Sequence, residues 1–228
     1  MFYDLHVQAE AGKAVEMARR LGLSGICLCV QSASGAKPQE IQALREMAKS
    51  IKGVDLAIGM DIQAKASQVP HLAKNLRRQY ELILVRGGSE DVNRAALETP
   101  EVDILTHPNL ENGMCGINHI LARLGARNNV AICFDLLEII QAYKKTRANL
   151  LSGLMETARF VRKYKCPFVL SAGAMGEWDM RASSELMAFG KFLGFDERQC
   201  RKALDGSLLK ENRKRLSGKW VMPGVEVQ

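Results

Sequence analysis

The chain has 228 residues, of which 47% are hydrophobic and 6% aromatic, and its formal net charge is +7. This length suits one α/β domain of barrel size with a substantial core. No stretch approaches the roughly 20 apolar residues of a membrane span, and the N-terminal MFYDLHVQAE lacks the basic-then-apolar layout of a signal peptide. We therefore expect a cytoplasmic protein that does not associate with a membrane.

Apolar runs and helical periodicity alternate along the chain. The runs predict seven strands, several of them apolar at nearly every position, as in parallel sheets covered by helices: 2–7, 25–30, 54–62, 81–85, 102–105, 130–134 and 167–170. Periodicity predicts six intervening helices over 11–21, 38–51, 69–79, 89–98, 116–127 and 146–164. Three further helices over 183–193, 196–204 and 207–216 are predicted to close the chain.

Seven βα repeats of this spacing predict a TIM-barrel-like (β/α) barrel, which could be distorted or incomplete. A doubly wound sheet is the alternative, because the number of strands alone does not exclude it. No linker or internal repeat indicates a second domain, so residues 1–218 are predicted to form a single barrel domain with C-terminal basic helices. Residues 219–228 are expected to form a weakly anchored tail.

The positive charge is confined to the C-terminal part of the chain. Residues 1–135 carry 15 Lys and Arg against 15 Asp and Glu, whereas residues 136–228 carry 17 against 10. A one-sided basic surface attracts polyanions, although incidental lysines on a solvated surface would give the same count. The scarcity of aromatic residues argues against stacking of single-stranded bases and favours contacts to a nucleic-acid backbone.

Polar side chains follow the ends of several predicted strands. They include His6, Asp61, Arg86, His107 and Asp135. Because the carboxyl ends of barrel strands share one face, these residues indicate a pocket for phosphate or metal, or else polar groups that simply terminate strands. Arg86 follows the strand ELILV and is expected at this face, where it either pairs with an aspartate or offers a bidentate fork to a phosphate.

A metal site is the alternative interpretation of this face, with His6, Asp61, His107 and Asp135 holding ions that activate water. The chain contains only four histidines, however. His71 is expected on a helix surface. The six cysteines show no pairing at zinc-ligand spacing, so we expect reduced, packed thiols and no bound metal.

Basic residues at helical spacing form the third feature. They project from the polar sides of predicted helices and would be exposed, either as solvated faces or as contacts to phosphates. These residues are His119 with Arg123, Arg159 with Lys163, and Lys210, Arg213 and Lys214 in SLLKENRKRL.

The order and spacing of several segments resemble one family. FYDLHV, LGLSGICL, DILTHP, GINHILARLGARNNVAICFD, PFVLSAGA followed by DMRA, and KENRKRL succeed one another over nearly the whole chain. Together they are similar to the archaeal and eukaryal ribonuclease P protein component 3 family, the 30 kDa subunit. The resemblance implies a TIM-barrel-like fold related to the polymerase and histidinol phosphatase (PHP) metallohydrolases.

It also implies an RNA-binding subunit that supports removal of the 5′ leader from precursor tRNA by a catalytic RNA. The implied partners are ribonuclease P RNA, precursor tRNA, a ferredoxin-like ribonuclease P protein subunit and other protein subunits. Mg²⁺ would serve the RNA-catalysed reaction, and this chain would hold no cofactor. The residues that match the family's motifs are candidates for RNA or structural contacts: Arg86, His107, Asn118, His119, Arg123 and Arg181.

One departure bears on catalysis by this chain. The first strand of PHP enzymes typically carries His-x-His, whereas this chain reads His6-Val7-Gln8. The loss of one ligand predicts that the chain alone is not catalytic. A metal-dependent PHP-type phosphoesterase remains the main alternative, and a barrel that binds only other proteins is a third possibility.

Overall fold

The computed structural model describes residues 1–31, 38–216, 220–222 and 225–226. The strands of its main sheet are β1 (Tyr3–Val7), β2 (Gly25–Gln31), β3 (Asp55–Ile62), β4 (Leu82–Arg86), β5 (Ile104–Thr106), β6 (Ala131–Asp135) and β7 (Phe168–Ser171). The helices are α1 (Ala11–Arg20), α2 (Pro38–Ser50), α3 (Val69–Leu76), α4 (Glu90–Glu98), α5 (His119–Asn128), α6 (Leu136–Gln141), α7 (Lys144–Tyr164), α8 (Ser183–Phe192), α9 (Glu197–Ala203) and α10 (Ser207–Leu216). Two short 3₁₀ turns cover Ala66–Gln68 and Glu177–Asp179.

The seven strands form a nearly closed barrel. Each strand is parallel to the next, in the spatial order β1 to β7, and a parallel bridge between Val7 and Ala174 joins the last strand region to the first. This order confirms the TIM-barrel-like prediction and excludes the doubly wound alternative, because a doubly wound sheet reverses its strand order at a switch point.

Two apolar layers hold the barrel together. Most of the apolar residues pack between the strands and the surrounding helices. The barrel interior is filled by small and medium side chains from alternate strand positions: Tyr3, Leu5, Cys27, Cys29, Ala57, Leu82, Leu84, Ile104, Ala131, Cys133 and Val169, with Leu209 from α10. All six cysteines are free, as the sequence predicts.

Helix α10 closes the amino-terminal end of the barrel. Leu209 is completely buried in the interior layer. The Arg213 guanidinium donates to Asp55 Oδ2 at 2.7 Å and to Glu81 Oε1 at 2.5 Å. Asp55 is the first residue of β3, and Glu81 directly precedes β4. Helix α10 thus covers the amino-terminal end, and the polar residues that follow the strands meet at the opposite, carboxyl-terminal end, which we call the mouth.

The predicted segments are confirmed, with ends displaced by no more than about three residues. Helix α5 starts at His119 rather than at residue 116, because Asn118 caps it by accepting from the Ile120 and Leu121 amides. Helix α6 was not predicted, since it follows β6 without an intervening loop.

The C-terminal segment expected to be a tail forms, in its described residues, a short antiparallel pair of β8 (Trp220–Met222) with β9 (Val225–Glu226). The rest of that segment lies outside the described residues. Among the described helices, none is long and apolar enough to span a membrane.

Candidate functional site

The barrel mouth holds a buried ion pair between β1 and β6. His6 Nδ1 lies 3.1 Å from both carboxylate oxygens of Asp135, and both residues are at most 3% exposed. Burial alone lowers the pKa of His6, but the Asp135 carboxylate raises it well above its usual value. Burial raises the pKa of Asp135, but the attraction of His6 brings it down to about 2. Both groups are therefore charged at neutral pH.

A second pair lies beside the first. His107, which has the left-handed φ of +50°, places Nε2 3.2 Å from Glu138 Oε1 and Nδ1 3.6 Å from Asp135 Oδ2. Burial lowers the pKa of His107 to about 4 and raises that of Glu138 to about 8. At neutral pH the imidazole is therefore neutral and the Glu138 carboxyl is mostly protonated, so the two groups are in close polar contact without forming an ion pair.

Glu138 is the site residue that sequence reasoning missed. It lies on α6, whose first residue directly follows Asp135. A carboxylate three residues beyond a polar strand end is the signal that could have revealed it, because one helical turn brings such a residue back over the mouth. The strand-end rule did predict that His6, Asp61, His107 and Asp135 would converge, and the contacts confirm it.

The mouth does not fit a multinuclear hydrolytic metal centre. Gln8 directly follows β1 beside His6, and its Nε2 donates to Asp61 Oδ2 at 2.9 Å and lies 3.4 Å from His6 Nε2. Its Oε1 accepts from Gln31 Nε2 at 2.8 Å, which orients the amide. Gln8 thus donates to Asp61, and the charged His6 has no lone pair to offer, at two positions where a metal would require lone pairs.

Two smaller groups remain, and they share Asp135. His107, Asp135 and Glu138 present ligand-type atoms within 4.8 Å of one another, as do His6, Cys133 and Asp135. The His6–Asp135 ion pair occupies the ligand atoms of the second group, and the raised pKa of Glu138 disfavours the ionised ligand of the first.

Arg86 lies at the mouth, as its alternation with Leu82 and Leu84 predicts, and lines a cleft of about 560 Å³ together with His107 and Glu138. The pairing with Asp61 or Asp135 considered from the sequence does not form. Within the described ranges, the Arg86 guanidinium has no ion-pair or hydrogen-bond partner, and Asp61 and Asp135 bond Gln8 and His6.

Two of the basic clusters come together on the outside of the barrel. Helices α5 and α7 pack side by side, and the cationic ends of Arg123 and Lys163 lie 5.4 and 5.5 Å from the centre of the Tyr164 ring. Five of the exposed basic side chains of these two helices define what we call the α5–α7 basic face: His119, Arg123, Arg127, Arg159 and Lys163.

The other basic candidates lie elsewhere, and they have partners within the protein. Arg213 does not share an exposed face with Lys210 and Lys214 as expected, because its guanidinium is half-buried against Asp55 and Glu81. Lys210 lies over the Tyr3 ring at 5.5 Å, and Lys214 is exposed. Arg181 donates to the backbone oxygens of Trp178 and Met180. RNA contacts by these residues stay predictions.

Comparisons with known proteins agree with this architecture. The chain matches the family described as RNase P subunit p30 over residues 1–217. It is 34% identical to Ribonuclease P protein component 3 of Methanosarcina mazei over 99% of this chain and 95% of that protein. It is 31% identical to the protein of that name from Methanothermobacter thermautotrophicus over 89% and 85%.

Solved structures share the fold. A chain in the cryo-EM structure of archaeal Ribonuclease P with mature tRNA superposes with a TM-score of 0.86 at 24% identity, covering 98% of this chain and 96% of that one. The N6-methyl-AMP deaminase of Arabidopsis thaliana is more distant, with a TM-score of 0.54 and 11% identity over 94% and 95% of the two chains.

Proposed function

Because the chain belongs to the RNase P subunit p30 family, we propose that it is an RNA-binding protein subunit of ribonuclease P. In this role it supports removal of the 5′ leader from precursor tRNA by the catalytic RNA. Its partners are then ribonuclease P RNA, precursor tRNA in the complex, a ferredoxin-like protein subunit and other protein subunits, assembled in the cytoplasm. Mg²⁺ serves the RNA, and this chain contributes no cofactor.

The observation that carries the proposal, beyond family membership, is the α5–α7 basic face. Four exposed Arg and Lys side chains and one histidine lie on two adjacent helices, and none of the four cations forms an ion pair within the part of the chain that the structure describes. Such cations neutralise phosphates and release condensed counterions, which is the main source of affinity for a nucleic-acid backbone. Neutralised phosphates let a folded RNA approach its active form at lower magnesium concentration.

The packing of the face favours phosphate contacts over base contacts. Tyr164 is partly buried, and Arg123 and Lys163 lie over its ring, so the ring supports the two cations rather than offering itself to a base. Cations held in this way lose little conformational freedom when a phosphate binds. The mouth also favours an RNA-binding role over metal-dependent hydrolysis, because Gln8 donates to Asp61 and the charged His6 has no lone pair for a metal.

A site-specific photocrosslink tests this assignment. Benzoylphenylalanine at position 159, replacing the exposed Arg159 of α7, should crosslink to ribonuclease P RNA in the reconstituted complex. The same photoreactive residue in place of Lys74, which is equally classed as exposed but lies on α3, is the matched control. Crosslinks from position 74 but not from position 159 would contradict the proposed RNA face.

A further inference from the structure

The cleft at the mouth is a feature that the RNA-binding face leaves unexplained. It lies between the ends of β4 and β5, α6 and the loop after His107, and its volume is about 560 Å³. Clefts of this size hold small ligands in many proteins. Its polar walls include Arg86, His107, Asn109 and Glu138, and its apolar walls include Leu110 and Leu150.

The walls carry both a free donor and a free acceptor. The Arg86 guanidinium is without an ion-pair or hydrogen-bond partner among the described residues. Asn109 is only 5% exposed. Its Nδ2 donates to the Leu150 carbonyl oxygen at 3.2 Å, which fixes the orientation of the amide. Asn109 Oδ1 is consequently a buried acceptor that, within the described ranges, has no donor. Buried polar atoms of this kind ordinarily have a partner.

The backbone holds these groups in place before any ligand arrives. A Cβ atom at Gly87 would lie 2.2 Å from Asn93 Oδ1 and 2.8 Å from the His107 carbonyl oxygen, so only glycine lets the ends of β4 and β5 approach this closely. Asn93 then donates to the carbonyl oxygens of Pro108 and Gly116 at 2.8 and 3.0 Å. The loop that carries Asn109 is therefore tied to the strand end that carries Arg86.

We propose that this cleft binds a ribonucleotide, with its phosphate on the Arg86 fork and a donor of its nucleoside part bonded to Asn109 Oδ1. A guanidinium offers paired N–H groups that match phosphate oxygens. Among the described residues no acid forms an ion pair with Arg86: Asp135 bonds His6, and Glu138 Oε1 lies 3.2 Å from His107 Nε2. The ligand could be a free mononucleotide or an unpaired nucleotide of an RNA strand, which share this chemistry.

Calorimetric titration of the full chain with AMP, adenosine and inorganic phosphate tests the proposal. AMP should bind about tenfold or more tightly than either fragment, since only AMP carries both a phosphate for Arg86 and a nucleoside donor for Asn109. Arg86→Gln should weaken AMP binding by about tenfold or more, and Arg86→Lys, which keeps the charge but loses the fork, should fall between. Arg78→Gln, an exposed arginine just after α3 that lies outside both the cleft and the α5–α7 basic face, is the matched control and should leave the AMP affinity unchanged.

Competition identifies the source of the nucleotide. A single-stranded pentaribonucleotide that displaces AMP, and that binds more weakly to the Arg86→Gln variant, points to an unpaired nucleotide of RNA. Failure to displace AMP points to a free mononucleotide.

Three results would each overturn the proposal: phosphate that binds as tightly as AMP, AMP binding unaffected by Arg86→Gln, or no AMP binding at millimolar concentration. Thermal unfolding checks that each variant is folded. Because the photocrosslink from position 159 does not depend on this cleft, failure here and failure of the RNA-binding assignment are distinguishable.

Discussion

The α5–α7 basic face predicts how RNA affinity depends on salt. Replacing Arg123, Arg159 and Lys163 together with alanine removes three exposed cations. Log affinity falls as log salt concentration rises, and each lost phosphate contact should make this slope less steep by roughly 0.7–0.9. If all three cations contact phosphates, the slope should fall by about 2.1–2.7, and the affinity gap between wild type and variant should shrink by roughly 20- to 40-fold between 50 and 200 mM salt.

Fluorescence anisotropy with labelled ribonuclease P RNA, repeated across this salt range, measures the slope directly. The control is the triple alanine variant at Lys52, Lys74 and Arg78, which removes the same net charge from exposed positions before β3 and around α3. Its slope should stay close to that of the wild type. A slope unchanged in the α5–α7 variant would mean that these cations do not contact phosphates. A slope changed equally in the control would mean that net charge, and not this face, governs binding.

Three further predictions concern stability, pH and metal content. Arg213→Ala breaks two half-buried ion pairs at the amino-terminal end of the barrel. It should lower the free energy of unfolding by about 1–3 kcal/mol in a urea titration and leave the salt dependence of RNA binding unchanged. A normal stability with a weaker salt dependence would mean that Arg213 contacts RNA rather than stabilising the barrel. The pKa of Asp135 is lowered from 3.8 to about 2 in the fold, so the stability that its pair with His6 contributes is present above about pH 4 and is lost as the pH falls through about 2. Relative to Asp135→Asn, the wild type should lose roughly 2 kcal/mol of unfolding free energy over that window. If the unfolding free energies of the two proteins fall in parallel with pH, the His6–Asp135 pair does not contribute this stability. Metal analysis of the purified protein should find less than one transition-metal ion per chain, and a phosphoester screen should find no turnover; a stoichiometric metal with activity lost in His107→Ala would instead support the phosphoesterase.

The sequence carries enough information to place the barrel and much of its mouth. Apolar strands of regular spacing predict βα repeats, because a strand covered on both faces must be apolar at nearly every position. The strand-end rule then brings His6, His107 and Asp135 together, and the parity of Arg86 with Leu82 and Leu84 correctly turns its side chain towards the mouth. These inferences hold because the alternation of side chains along a strand and the direction of the strand are local properties of the chain.

The sequence does not show which charged groups pair over long separations. Arg213 reaches Asp55 and Glu81 across 158 and 132 residues, and no helical spacing reveals such partners. The same limit applies to Arg86, whose expected carboxylate partners bond Gln8 and His6 instead. Glu138 escaped notice because α6 continues directly from β6, so that no turn signal marked the start of a helix.

The central claim, that this chain is a ribonuclease P subunit acting through RNA, is tested most directly by reconstitution. Precursor-tRNA cleavage is measured over a range of magnesium concentrations with the cognate RNA and the other protein subunits, in the presence and absence of this chain. We expect omission to shift cleavage to higher magnesium concentration, because the phosphates that its cations would neutralise must then be neutralised by Mg²⁺. Cleavage that is unchanged by omission at every magnesium concentration would contradict the claim.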